Sequence, residues 1–171
     1  MTLRARLLSR FTNWALAQNP RGGYAGEDDE RWAYTIVGED GSPYLTRVLF
    51  PRIPERVPLV GGLRPMVHKF HRPDGDHQLH NHPWAGTSLI LAGGYREERR
   101  VGQRVEERVY RPGDVSVLEP NTFHRIDLLE PERGCWTLFS IGPRVQSWGF
   151  WDRDGGAFTP WREALAARGL A

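Results

Sequence analysis

The sequence predicts an all-β fold: an antiparallel jelly-roll barrel with an N-terminal helix and a short C-terminal helix. Three observations predict it. Short runs rich in Val, Ile, Thr, Tyr, Phe and Trp follow one another at close spacing through most of the chain. Turn sequences separate them, namely Gly61-Gly62, Pro73-Asp74-Gly75, Gly93-Gly94, Pro112-Gly113-Asp114 and Glu132-Arg133-Gly134. Helical periodicity is confined to the two ends. Many short strands with regular turn signals specify a barrel or sandwich, not alternating β and α units.

At the N-terminus, Leu3, Leu7, Leu8, Phe11, Trp14 and Ala15 recur at helical spacing. They predict a helix over residues 2–18, ended by Asn19-Pro20. Its apolar stripe is expected to lie on the outside of the barrel, not on a membrane surface. Residues 20–31 are rich in glycine and acid and read as a mobile loop. Strands are expected at 44–50, 66–71, 78–82, 87–91, 95–100, 105–111, 115–118, 123–129 and 135–141. The stretch from Glu97 to Arg111 reads as a charged hairpin turning at Gly102. Its charges are expected to form a solvated face, the alternative being an arginine that reaches an anionic substrate. The tail carries Trp148, Phe150, Trp151 and Trp161, expected to pack a barrel end or a dimer face. Pro160 opens a helix running to Arg168. One domain results: helix and loop over 1–43, barrel over 44–152, C-terminal extension over 153–171.

Lys and Arg number 23 against 21 Asp and Glu, a mixed surface that argues against a nucleic-acid partner. No apolar run is long enough to span a bilayer. Arg4, Arg6 and Arg10 interrupt the apolar core a signal peptide would need. Cys135 is the sole cysteine, so no intrachain disulfide forms. It is expected to pack as a small hydrophobe in a cytoplasmic protein.

The chemistry concentrates at His80-Asn81-His82. Strand residues two apart share a face, so these imidazoles project together. Two such imidazoles are half of a facial metal site, and His124 on a returning strand supplies a third. The alternative is three barrel histidines without a metal. His68 is a candidate substrate contact or a satisfied core histidine, with His71 at opposite strand parity. His77 is a candidate fourth ligand or pocket acid/base, or else a solvated loop histidine. Tyr95 opens a strand near the expected barrel mouth, where its hydroxyl could bond a metal-bound ligand or cap the rim. Asp76 could orient a ligand imidazole or serve the turn. Trp84 shares the face of His82 if the strand continues past Pro83. Ile126 shares the face of His124.

Over residues 66–142 these motifs resemble those of the cupins, which are double-stranded β-helix barrels. His80 and His82 match the family's His-x-His, and Gly93 its closing glycine. Gly113 and His124 frame the second motif. There Glu119 stands at the proline position, Pro120 one place later, and Asn121 replaces a glycine. Asparagine tolerates the left-handed conformation such a glycine adopts. The runs Leu79 to Trp84, Gly93-Gly94-Tyr95 and Trp148-Gly149-Phe150 are similar to those of small bacterial and phage cupin-like proteins. The family's glutamate is replaced by Gly86, or by Thr87 at the longer spacing.

The resemblance implies a three-histidine centre without an acid. Such a centre is similar to the iron sites of thiol dioxygenases and certain β-diketone-cleaving cupins, where ferrous iron takes substrate and then dioxygen on adjacent open positions. The expected cofactor is a divalent transition metal, with Fe(II) favoured and Zn, Ni or Mn as alternatives. Three neutral imidazoles leave the ion its full charge, which favours a small anionic substrate. The implied function is a mononuclear dioxygenase-like oxidoreductase. A non-catalytic binding or sensor cupin and a metal-dependent sugar isomerase or hydrolase are the alternatives. A two-fold homodimer is also expected.

Overall fold

The structure is a computed structural model that describes residues 2–18, 32–38, 40–75 and 78–167. In chain order these form α1 (Leu3–Ala17), β1 (Ala33–Val37), β2 (Pro43–Leu49), β3 (Arg64–Phe70), β4 (Leu79–His80), β5 (Gly86–Ala92) and β6 (Tyr95–Val101). There follow β7 (Arg104–Tyr110), β8 (Val115–Leu118), β9 (His124–Leu128), β10 (Cys135–Ile141), β11 (Gly149–Trp151), β12 (Phe158–Pro160) and α2 (Trp161–Ala167). Two six-stranded antiparallel sheets result, in the orders β1-β2-β3-β10-β5-β8 and β12-β11-β4-β9-β6-β7. From β3 onward the chain passes repeatedly from one sheet to the other. That alternation makes the jelly roll, and the sheets do not close on each other.

Alternation along the strands sorts residues between two compartments. Leu45, Phe70, Ile90, Tyr95, Ile126 and Leu128 fill one end of the space between the sheets. Met66, Leu118 and Phe139 fill the other, with Trp84 packed against them. On the outer face of the first sheet, Val48, Val67, Ala92 and Trp136 meet Ala5 and Ala15 of α1. Helix α1 is started by Thr2, whose hydroxyl accepts the Ala5 N–H at 3.2 Å. The helix lies on the sheet through Ala5, Ala15, Leu8 and Phe11, while Leu3, Leu7 and Trp14 of the expected stripe are exposed. At the other end of the molecule Trp148 and Trp161 stack at 5.7 Å, fixing α2 against the second sheet.

The structure adds elements to the sequence reading. β1 lies in the segment read as helix and loop, and forms the edge of the first sheet against β2. β11 and β12 extend the second sheet out of the aromatic tail. The charged hairpin of β6 and β7 turns at Gly102, whose φ of 62° requires a residue without Cβ strain. Asn121, by contrast, is not in the left-handed region, so the glycine it replaces meets no such demand here. Residues 20–31 fall outside the described residues.

His71 follows β3, and its Nε2 lies 2.8 Å from the Thr46 hydroxyl. Burial, aided by the Lys69 charge, lowers its pKa to about 4. In an unfolded chain a histidine titrates near 6.5. As pH falls, the unfolded chain therefore takes up this proton first. The stability His71 contributes is complete above about pH 6.5 and is lost as pH falls towards about 4. The variant His71→Gln is expected to flatten the rise of denaturant midpoint across that window. An unchanged slope would show that other groups set it.

Candidate metal centre

His80 ends β4, and His124 begins β9 directly opposite it in the ladder. His82 lies just beyond β4, so the two histidines of His-x-His do not share one regular strand as the spacing predicts. Pro83 explains the break, because it has no N–H to continue a ladder. Side-chain amides hold the irregular segment instead. Asn81 Nδ2 donates to the Pro120 carbonyl at 3.2 Å, while its Oδ1 accepts the Gly149 N–H at 2.8 Å. Gln146 Nε2 donates to the carbonyls of His82 at 3.0 Å and Pro120 at 2.6 Å. The loop bearing His82, the turn before His124 and β11 are thus tied together.

The three rings converge. Their centroids are 5.0 Å apart for His80 and His82, 4.8 Å for His80 and His124, and 5.1 Å for His82 and His124. One nitrogen from each lies within 4.8 Å of the others, a metal-binding arrangement. The Nε2 atoms of His82 and His124 are 2.9 Å apart. Two nitrogens each about 2.1 Å from one ion, at right angles to one another, would sit roughly 3 Å apart.

A buried acid orients this set. Glu97, on β6, is 1% exposed. Its Oε1 is 2.7 Å from His124 Nδ1, and its Oε2 accepts from Arg99 Nη2 at 2.8 Å. Burial works to raise the Glu97 pKa, but His124 and Arg99 outweigh it and hold the carboxyl below its ordinary value. An ionised carboxylate only accepts. It therefore fixes the proton of His124 on Nδ1 and leaves the Nε2 lone pair facing His82. That is the orientation a metal ligand requires. The pKa of His82 is held well below the ordinary value, by burial first and then by the charges of His80, His124, Arg47 and His68. Neutral imidazole is the ligating form.

Asp74 stands beside His80 at longer range. Its Oδ2 lies 3.9 Å from His80 Nδ1 and accepts the Ile126 N–H at 2.7 Å. Its Oδ1 accepts from the Tyr44 hydroxyl. The acid beside His80 is thus Asp74, which the sequence reading left in a turn. Asp76 and His77, both singled out from the sequence, lie outside the described residues.

The other candidates are distributed as follows. His68 is 3% exposed on β3 and stacks on Phe139 at 4.8 Å. Among the described residues its Nε2 has no hydrogen-bond partner. Burial, with Arg47 nearby, keeps it neutral well below its usual pKa. Tyr95 does open β6, but it is 2% exposed and packs against Tyr110 and Phe70, in the core and not at a rim. Burial raises its pKa, and Ser88 and Ser116 engage its hydroxyl. Trp84 stacks on His82 at 4.4 Å and meets Phe139 at 5.4 Å.

Of the two positions that could carry the missing glutamate, Thr87 faces outward and Gly86 inward. A Cβ on Gly86 would meet Phe139 at 2.9 Å and Trp84 at 3.2 Å. The two aromatic rings have taken the space an acid would need. Glu97 and Asp74 were not singled out as site residues from the sequence. Glu97 was hidden in a charge run, although it shares strand parity with Tyr95.

No family model and no curated protein matches the chain. Among solved structures, Fe(II) HppE matches with a TM-score of 0.50 and 16% identity, over 69% of this chain and 59% of that one. KdgF from Halomonas sp. matches with a TM-score of 0.43 and 22% identity, over 58% of this chain and 80% of that one. An oxalate decarboxylase variant from Bacillus subtilis gives 0.46 and 18%, over 75% and 33%. The chain thus spans about three fifths of the length of HppE. The likeness to HppE is one of fold, and this chain has the cupin fold.

Proposed function

We propose that this cupin-fold protein is a mononuclear metal enzyme whose divalent ion is held by His80, His82 and His124. The observation that carries the reading is the convergence of three imidazoles with Glu97 fixing the tautomer of His124. Fe(II), the metal named for HppE, is the first ion to test. A metal held there would supply a Lewis-acidic centre with open positions for a small anionic substrate and dioxygen, hence dioxygenase-like chemistry. The protein's own part is separable. Glu97 orients the His124 imidazole, Asn81 and Gln146 fix the loop of His82, and Trp84 covers one face of its ring.

Untagged protein reconstituted anaerobically with Fe(II) is expected to hold roughly one equivalent, as a single facial set implies. The double variant His82→Ala/His124→Ala is expected to hold less than about a tenth of that, since one ligand remains. Equal metal in both proteins would sink the reading. Oxygen uptake with small thiols and β-diketones then tests the reaction.

A second reading is a binding cupin without turnover. The observation favouring it is the filling of the acid's place by Phe139 and Trp84. A ligand that raises the melting temperature without being consumed would select it.

A further inference from the structure

The wall facing the histidines carries a row of polar groups from the other sheet. Tyr34 is in register with Arg47, Arg47 with His68, and His68 with Thr137, across β1, β2, β3 and β10. Residues paired in this way point to the same side of a sheet. That side is the interior, since Leu45 shares the parity of Arg47 and Phe70 that of His68, and both belong to the core. His68 stacks on Phe139, which meets Trp84, the ring stacked on His82, so the row adjoins the histidine cluster.

Among the described residues, three atoms of this row are buried without a hydrogen-bond partner: Arg47 Nε, His68 Nε2 and Thr137 Oγ1. His68 is 3% exposed and Thr137 is 0% exposed. Among the described residues, the guanidinium meets the Tyr34 hydroxyl, at 3.4 Å from Nη1. Among the described residues, no carboxylate lies within ion-pair distance of Arg47. Buried polar groups are nearly always paired, and Arg47, half-buried with its Nε buried, has no counter-anion there. A row of unused donors around one positive charge, opposite a metal centre, is therefore complete only with an anionic partner.

We propose that Arg47, His68 and Thr137 form a carboxylate-binding shelf. The substrate would span the interior, with one end on the metal centre and a carboxylate at the other. This deepens the proposed function and rests on it for the first end only. A carboxylate is favoured over a phosphonate or phosphate dianion because the row offers a single cation. The guanidinium fork also matches a planar two-oxygen acceptor. His68, held neutral, donates one N–H, and the Thr137 hydroxyl donates another. Arg47 is on this account a binding residue that sets specificity.

Two hydroxamates of matched length test the shelf on Zn(II)-loaded protein by calorimetry. The hydroxamate end takes the metal in both succinic monohydroxamate and butyrohydroxamate, and only the first carries a carboxylate. The first is expected to bind at least about tenfold tighter, as charge-assisted bidentate pairing implies. In Arg47→Met that advantage should vanish while butyrohydroxamate affinity is unchanged, and Thr137→Val should lose part of it. Equal binding of the two compounds to the wild type would overturn the shelf and leave the metal centre standing.

Succinate added to metal-free protein provides the independent arm. It should raise the melting temperature of the wild type and not of Arg47→Met. No shift in the wild type overturns the shelf. Failure to take up metal, with the succinate shift present, overturns only the metal reading. Ligand-free Arg47→Met should melt no lower than the wild type, because it removes a half-buried charge that has no counter-ion among the described residues.

Discussion

Glu97→Gln is expected to weaken metal binding by about 10- to 100-fold while leaving the fold intact. The glutamine is nearly isosteric, but its amide can present either a donor or an acceptor to His124 Nδ1. The carboxylate presents only acceptors, at 2.7 Å from that nitrogen. Once the tautomer is free to exchange, part of the population turns an N–H towards the metal position. The variant also removes the charge that Arg99 pairs with at 2.8 Å, at a site 1% exposed. Titration against a chromophoric chelator, with circular dichroism as control, measures the effect. An affinity within twofold of wild type would show that Glu97 serves Arg99 alone.

Trp136→Ala is expected to cost about 3–5 kcal/mol, the usual range for emptying a large buried aromatic. Trp136 is 2% exposed and joins β10 to the underside of α1 through Ala5, Ala15 and Val67. For a chain of this size each kcal/mol lowers the melting temperature by about 2–4 °C, so a drop of roughly 6–20 °C should appear. Metal affinity should hold at temperatures where the variant is folded, because Trp136 lies on the outer face of its sheet. A loss of metal affinity below the transition would mean that α1 docking reaches the centre.

Most of the barrel was legible because its strands mark their faces with apolar residues every second position. Cys135–Ile141 and Val115–Leu118 are read from the sequence at their observed bounds for this reason. β11 and β12 are three residues each, too short for alternation to register. β1 is β-branched and aromatic enough, but it follows directly on a segment rich in glycine and acid. The histidine set was legible from spacing, although its geometry arises from a broken strand tied by Asn81 and Gln146.

The acids were harder. In Arg96-Glu97-Glu98-Arg99-Arg100 every residue is charged, so inside and outside look alike. Only parity with Tyr95 distinguishes Glu97, which is buried, from Glu98, which meets Arg125 at 3.2 Å near the surface. Arg47 hides differently. Leucines two residues to either side place it inside, yet its own chemistry argues for solvent. Such conflicts between pattern and residue type are where functional groups are expected.

The two sheets share no ladder, since each strand pairs only within its own sheet. The metal-side histidines hang from one sheet and the Arg47 row from the other. Among the described residues, backbone bonds cross between the two sides only in connecting segments, as from Asp74 N–H to the Ile126 carbonyl at 3.0 Å. That gap is a calliper whose opening is set by apolar bulk, above all Phe139, Ile90 and Ile126. Trimming or enlarging these side chains would reset the length of molecule the interior accepts without touching any polar group that holds it.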